Sequence, residues 1–204
     1  MSNTSKGSDG RPRCGWCAAA PEFLAYHDRE WGFPVGEDRA LFEALSLESF
    51  QSGLSWQTIL TKRENFRTAF RDFDPDRVAR FSSRDTERLL KNAGIVRHRG
   101  KIEAVINNAR RLRELVKREG SFAAYLRRYE PAATRSSAHR RHSTSVESLA
   151  LSKDLKKLGW AFVGPTTMYA FMQAVGLVNG HAAGCVIRAE VEQARADSTS
   201  SVSA

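Results

Sequence analysis

The sequence has no apolar run near the ~20 residues that a membrane span needs. Its opening stretch, MSNTSKGSDGRPR, lacks the apolar core of a secretory signal, so a soluble cytoplasmic chain with no membrane partner is expected. Cysteine is scarce, with three in 204 residues, which excludes a disulfide framework and leaves thiols for a metal. Period-2 runs rich in Val, Ile and Thr are missing, and with them the signature of sheet. Acid is in deficit. Asp plus Glu number 23 against 32 Lys plus Arg, a net charge of +9 that points to a polyanionic partner, nucleic acid foremost. Hydrophobic residues make up 41%, enough for one core or two small lobes sharing one, and this excludes wholesale disorder.

Both ends read as loose. Residues 1–12 are Ser, Gly, Asn and charge, and 188–204 end in DSTSSVSA, so both are expected as disordered tails around a domain at 13–187. A polar stretch at 133–145, ATRSSAHRRHSTS, reads as a long basic loop. The remainder reads as helix. Asp74-Pro75 is a cap followed by Pro at the first helical position. Leu89, Leu90 and Ala93 mark a helix over 83–93 that Gly94 stops. Over 100–119, Ile102, Val105, Ile106, Ala109, Leu112 and Val116 share one face, and Gly120 ends the run. Phe122, Tyr125, Leu126 and Tyr129 mark a short helix. Leu151, Leu155 and Leu158 mark another, and 169–175 is apolar almost all round. The predicted fold class is all-α, with eight or more helices.

Four residues at the two ends carry metal chemistry. Cys14 and His27 lie near the start, and His181 and Cys185 form an H-x-x-x-C pair near the end, which a helix would present on one face. Together they make the Cys2His2 set that tetrahedral zinc takes, with no open position for substrate. Spacing alone leaves other readings open. Cys14 and Cys17 form a C-x-x-C, so Cys17 competes with His27, and two buried cysteines beside ordinary histidines are equally compatible. His98, His139 and His142 sit among arginines and read as solvated or phosphate-facing.

Trp16, Trp31 and Trp56 cluster in the first third with Tyr26 between them. Glu48 sits in LSLESFQSGLSW among Leu45, Leu47, Phe50 and Leu54, so its carboxylate is expected to be partly desolvated. A carboxylate flanked by aromatic faces suits a flat, positively charged heteroaromatic ligand. A plain aromatic core with Glu48 on a solvated face is the simpler alternative. Further along, LKKLGWAFVGPTTMYAFMQAVG reads as helix, Gly-bounded turn at 159–164, then buried helix. Gly164, Thr166 and Thr167 are placed to meet a DNA phosphate, with Lys153, Lys156 and Lys157 upstream. The basic run RHRGK at 97–101 is compatible with DNA contact or with a solvated loop.

The motifs RCGW at 13–16, YHDREWGFP at 26–34, LESFQSGLSWQTIL at 47–60, AGIVRHRGKIEAVINNAR at 93–110, LSKDLKKLGWAFVGPTTMYAFMQAVGLVN at 151–179 and HAAGC at 181–185 together resemble the DNA-3-methyladenine glycosylase I family. The resemblance implies a two-lobed helix-hairpin-helix glycosylase fold, with the hairpin at about 151–176. It implies one structural zinc held by Cys14, His27, His181 and Cys185, with no need of Cys17. It implies a base pocket of Glu48, Trp56 and Tyr26 with Trp16 and Trp31 nearby. The hairpin glycine shared across the superfamily falls on Gly164, and its usual companion glycine is Phe162 here. The wider superfamily's catalytic aspartate falls in 177–181, which reads Leu-Val-Asn-Gly-His, without an acid; the family itself is similar in this.

For activity, the resemblance implies a monofunctional glycosylase acting on double-stranded DNA with alkylated bases. Such an enzyme flips out 3-methyladenine, hydrolyses its glycosidic bond and leaves an abasic site, with Glu48 as the catalytic residue and Gly53-Leu54 as the wedge that fills the gap. A monomer is expected. The competing expectations are a glycosylase of wider alkyl-base specificity, a non-catalytic module that binds alkylated DNA, and a zinc-stapled interaction protein.

Overall fold

The computed structural model describes residues 4–131 and 143–200, the side chains of 199 and 200 excepted. The basic loop expected at 133–145 therefore lies, from 133 to 142, outside the described residues. Among the described residues there are eleven α-helices, consistent with the helical reading: α1 (Pro21–Arg29), α2 (Asp38–Gln51), α3 (Trp56–Thr61), α4 (Arg63–Ala69), α5 (Pro75–Val78), α6 (Ser83–Leu90), α7 (Arg99–Glu119), α8 (Phe122–Arg127), α9 (Val146–Lys157), α10 (Pro165–Ala174) and α11 (Arg188–Ser200). None is long and apolar enough to cross a membrane.

Capping residues set most of the helix starts. Asp74 accepts from the Asp76 and Arg77 amides, with Pro75 opening α5 as the sequence predicts. Ser82 and Asp85 form a capping box on α6. His98 accepts the Lys101 amide through Nδ1 and starts α7, and Gly120 ends that helix at φ 83. Ser145 caps α9, so this helix begins five residues before the Leu151 signal. The missed turn carries Val146 and Leu149, which point outward at 71% and 51% exposure and break the apolar stripe.

α2 lies at the centre and packs against α3, α7, α8 and α10. It buries Leu41, Phe42, Leu45, Leu47 and Phe50 in one core with Phe66, Phe70 and Phe73. The predicted stripe of α7 is buried in the same core, from Ile102 to Leu112. Two polar residues sit on that stripe. Lys101 donates to the Phe50 and Ser52 carbonyls at the end of α2. Asn108 clasps Ala161 at two points, donating to its carbonyl and accepting from its amide, both at 2.9 Å. Ala161 lies in the turn between α9 and α10, and Asn107 adds a bond to the Gly159 carbonyl of the same turn at 2.8 Å. The long helix thus fixes both the exit of α2 and the helical hairpin.

The described residues are mostly helical, as expected, but both expected tails need correction. A small two-stranded antiparallel sheet pairs β1 (Thr4–Lys6) with β2 (Pro12–Cys14), so residues 4–12 are not a loose tail. What holds the sheet is charge rather than apolar alternation, which is why the pattern gave no signal. Arg13, 5% exposed, reaches both Asp9 in the connecting turn and Asp28 on α1. At the other end, residues 188–200 form helix α11 rather than a loose tail. Val191 is fully buried, and Arg195 donates to the Gly176 and Leu177 carbonyls. One apolar residue and a few side-chain bonds dock a helix that composition marks as polar.

Removing the Asn108 side chain strands a buried amide and a buried carbonyl in the hairpin turn. Asn108→Ala is expected to cost about 2–4 kcal/mol of stability, read from urea unfolding. A loss below about 0.5 kcal/mol would mean that the clasp does not hold the hairpin.

Candidate active site and metal centre

The last turns of α2 carry Glu48. It is 6% exposed although charged residues are rarely buried without a partner. Its Oε2 atom is buried and accepts no hydrogen bond from the protein. Burial alone pushes the carboxyl up to about 8. Tyr26 on α1 lies close enough to feel it: burial and then the Glu48 charge raise the phenol well above its usual value. The Trp56 ring, at the start of α3, sits 5.2 Å from the Tyr26 ring at a tilt of 43°. Trp56 Nε1 is a second buried polar atom with no partner. A carboxylate and an indole N–H are thus both desolvated and both unsatisfied beside two aromatic faces.

Trp16 and Trp31, expected near the pocket, also pack against the two histidines. Trp31 packs beside the two histidines, 6.2 Å from the His27 ring and 4.6 Å from the His181 ring. A Cβ on Gly180 would come within 2.8 Å of it, so only glycine fits there. Trp16 touches both sides, with ring distances of 5.0 Å to Trp31, 5.3 Å to His27 and 6.3 Å to Tyr26. Trp16 is the mechanical link between the carboxylate pocket and the histidines.

Cys14, His27, His181 and Cys185 are all buried, and their donor atoms lie within 4.8 Å of one another. Cys185 Sγ is 3.5 Å from both His27 Nε2 and His181 Nδ1, and Cys14 Sγ is 3.8 Å from His181 Nδ1. A tetrahedron with ordinary Zn–S and Zn–N bonds has S···N edges of about 3.5 Å. The tautomers fit as well. His27 Nδ1 bonds the Asp28 carboxylate at 2.7 Å, which frees Nε2, and His181 Nε2–H donates to the Trp31 carbonyl at 2.9 Å, which frees Nδ1. The hydrogen bond from Cys14 favours the thiolate of Cys185, the form in which a cysteine binds metal. The four residues could therefore hold a soft or borderline metal ion. Cys17 lies outside the group, buried with Ala20 and Phe23, so the C-x-x-C alternative fails.

The residues expected at the DNA also gather on one side. Gly53, at φ 78, and Leu54, 42% exposed, form the turn after α2. Gly164 is the N-cap of α10, and Thr166 is exposed in its first turn. Ser52 and Thr167 hydroxyls lie 3.5 Å apart and join the two segments. Of the basic run, Arg97 is exposed, but Lys101 is buried against α2 and is not a surface contact, and Arg99 pairs with Glu87 and Glu103. His98 is exposed, as expected, but is committed as a cap.

Sequence reasoning missed the supporting residues Lys101, Asn108, Asp28 and Asn179. Lys101 and Asn108 were detectable as polar residues on an apolar helical stripe. Asn179 accepts the His181 amide and donates to the Arg188 carbonyl and to Glu192, so it positions His181.

Fold and site together define a helical protein with a buried, unpartnered carboxylate beside aromatic rings and a separate cluster of four metal-type donors drawn from both ends of the sequence. Comparison with known proteins narrows this. The family model described as methyladenine glycosylase matches residues 16–189. DNA-3-methyladenine glycosylase 1 of Escherichia coli (strain K12) is 48% identical over 177 residues, covering 85% of this chain and 95% of that protein. The crystal structure of a 3-methyladenine DNA glycosylase I, 47% identical, superimposes with a TM-score of 0.79 over 85% of this chain and 98% of that one. The 3-methyladenine DNA glycosylase I from Staphylococcus aureus, solved to explain 3-methyladenine recognition, is 38% identical with a TM-score of 0.79, covering 83% and 93% of the two chains. The chain belongs to the methyladenine glycosylase family.

The state of Glu48 has a thermodynamic consequence. Between pH 4.5, where an exposed carboxyl ionises, and about 8, the folded protein keeps a proton that the unfolded chain has released. Stability is therefore expected to fall as pH rises through that window, by up to about 1.4 kcal/mol per pH unit relative to Glu48→Gln. Parallel pH profiles for the two proteins would show that Glu48 is ordinarily ionised. At the second centre, Cys185→Ser is expected to lower melting temperature and bound zinc together. Full zinc content in that variant would assign the ligands elsewhere.

Proposed function

We propose that this protein excises 3-methyladenine from alkylated double-stranded DNA, hydrolysing the N-glycosidic bond and leaving an abasic site. The observation that carries this reading is the unpartnered carboxylate of Glu48 beside Tyr26 and Trp56, in a chain of the methyladenine glycosylase family. The relatives are named for 3-methyladenine, and one was solved to explain its recognition.

The chemistry asks little of the enzyme beyond recognition. Adenine methylated at N3 in DNA carries positive charge, and its glycosidic bond is already labile, so no general acid is needed to make the base leave. The base must be extruded from the stack and held while water attacks the sugar. Trp56 offers a face for stacking. Glu48, and with it Tyr26, accepts or shares the base's polar edge. Glu48 resists ionisation in the closed protein, so a cationic base, which stabilises the carboxylate, gains more than neutral adenine does. Losing such a charge-assisted contact costs about 2–5 kcal/mol. Leu54 on its exposed turn fills the space left in the duplex.

A lyase reaction would need a free amine. Lys101, buried against α2, uses its ammonium on two backbone carbonyls, which supports a monofunctional hydrolase.

The finer architecture accords with the same reading: two helical lobes with the α9–α10 hairpin at the DNA, one structural zinc on Cys14, His27, His181 and Cys185, and a cytoplasmic monomer. The donor set, edges and tautomers fit zinc. The metal would supply cross-linking, since four protein ligands leave no position for substrate. It ties β2 and α1 to the segment before α11 and so supports Trp16 and Trp31 behind the pocket.

Release of bases from methylated duplex DNA, resolved by chromatography, tests the function. Wild type is expected to release 3-methyladenine, and Glu48→Ala to lose most of that activity. Absence of release by folded, zinc-loaded wild type would make the protein a lesion-binding module, and release of 7-methylguanine would make it a glycosylase of wider specificity. Leu54→Ala is expected to slow excision from duplex while leaving binding of free 3-methyladenine intact; equal losses in both would remove Leu54 from the wedge role.

A further inference from the structure

The hairpin turn holds a residue that the reaction as described does not use. Phe162 has φ 56, in the left-handed region that disfavours a bulky side chain. The conformation is held from four sides. Asn108 clasps the neighbouring Ala161, Asn107 bonds Gly159, Ser152 donates to the Val163 carbonyl at 2.6 Å, and Ser49 donates to the Phe162 carbonyl itself at 3.1 Å. Strain of this kind persists where surrounding structure overdetermines it, and it clusters at functional positions. The result is a large apolar ring left 38% exposed at the tip of the turn. Leu54, which is exposed to a similar degree, comes two residues after Ser52, whose hydroxyl faces Thr167 on α10.

The ring's surroundings are polar and positively biased. Its edge meets the His98 ring at 6.1 Å, and its tip lies over the backbone of Gly100 in the first turn of α7. Neither α7 nor α10 carries an acidic residue in its first turn, so the positive ends of two helices lie near Phe162, that of α7 capped only by the His98 ring. Arg97 stands exposed beside them. An apolar ring between positive sites matches a DNA backbone, where each apolar sugar lies between two phosphates.

We propose that Phe162 is a DNA-contacting residue whose ring packs on a deoxyribose of the bound strand and sets where the hairpin sits along it. The inference rests on the proposed placement of DNA against the hairpin and the Leu54 turn. Because the ring touches the sugar and not the base, it acts on docking of the duplex and leaves the Glu48 pocket alone.

Phe162→Gly separates this role from a structural one, because glycine suits a positive φ and relieves strain. Phe162→Asn, which also tolerates the left-handed region, removes the ring while keeping a side chain. Both would be titrated with a duplex carrying a tetrahydrofuran abasic analogue, with Leu54→Ala alongside. Free 3-methyladenine binding and melting temperature would be measured on each. Both Phe162 variants are expected to bind the duplex about five- to tenfold more weakly. Free-base binding and melting temperature are expected to stay at the wild-type level. Wild-type duplex affinity in both variants, with Leu54→Ala weakened, would overturn the inference and keep the DNA face. Wild-type duplex affinity in all three variants would overturn both. Parallel losses of melting temperature and free-base binding would make Phe162 a packing residue only.

Discussion

Desolvation pushes the Glu48 carboxyl up to about 8, and no protein group offsets it. Much of the surrounding structure serves to keep that arrangement closed. Glu48 cannot turn to solvent, because α2 is buried on nearly every side through its second half, from Leu45 to Phe50. The turn after α2 cannot fray, because Lys101 ties the Phe50 and Ser52 carbonyls to α7. A carboxylate in water would attract any cation weakly, whereas one kept dry responds strongly to a charge delivered by a ligand of the right shape. Selectivity then comes from what the pocket withholds rather than from many contacts.

The second organising constraint is the four-donor cluster. It gathers residues up to 171 positions apart in the chain, from Cys14 to Cys185, and both histidines are oriented by further bonds. Arg13 holds Asp28, Asp28 holds His27, the Trp31 carbonyl holds His181, and Asn179 holds the His181 amide. Trp16 carries this rigidity to Tyr26 by direct ring contact. A chain without a disulfide thus fixes both ends of the molecule behind the wall of the pocket.

Much of this was legible in the sequence. The cap at Asp74-Pro75 and the stripe of α7 come from residue type and spacing, whereas the gathering of Glu48, Tyr26 and Trp56 came from the family resemblance. The metal set was legible as donor chemistry; spacing left His27 and Cys17 open, the resemblance chose His27, and the geometry groups the same four residues. The short sheet and α11 were not legible, because each is held by charged side chains meeting distant partners: Arg13 with Asp28, and Arg195 with the 176–177 carbonyls. Composition records such groups only as polar. The division of labour among the tryptophans was hidden for the same reason, as Trp31 shows its role only beside His181.

The most direct test is the titration of the Glu48 carboxyl itself, monitored by carbon-13 NMR on selectively labelled protein, with Glu48→Gln to assign the signal. In the free protein the carboxyl is expected to titrate near pH 8, and saturation with a 3,9-dimethyladeninium cation, which keeps the positive charge the base carries in DNA, is expected to leave it ionised at neutral pH. A carboxyl that titrates near 4.5 in the free protein, or one that the cation does not move, would contradict recognition through a desolvated charge.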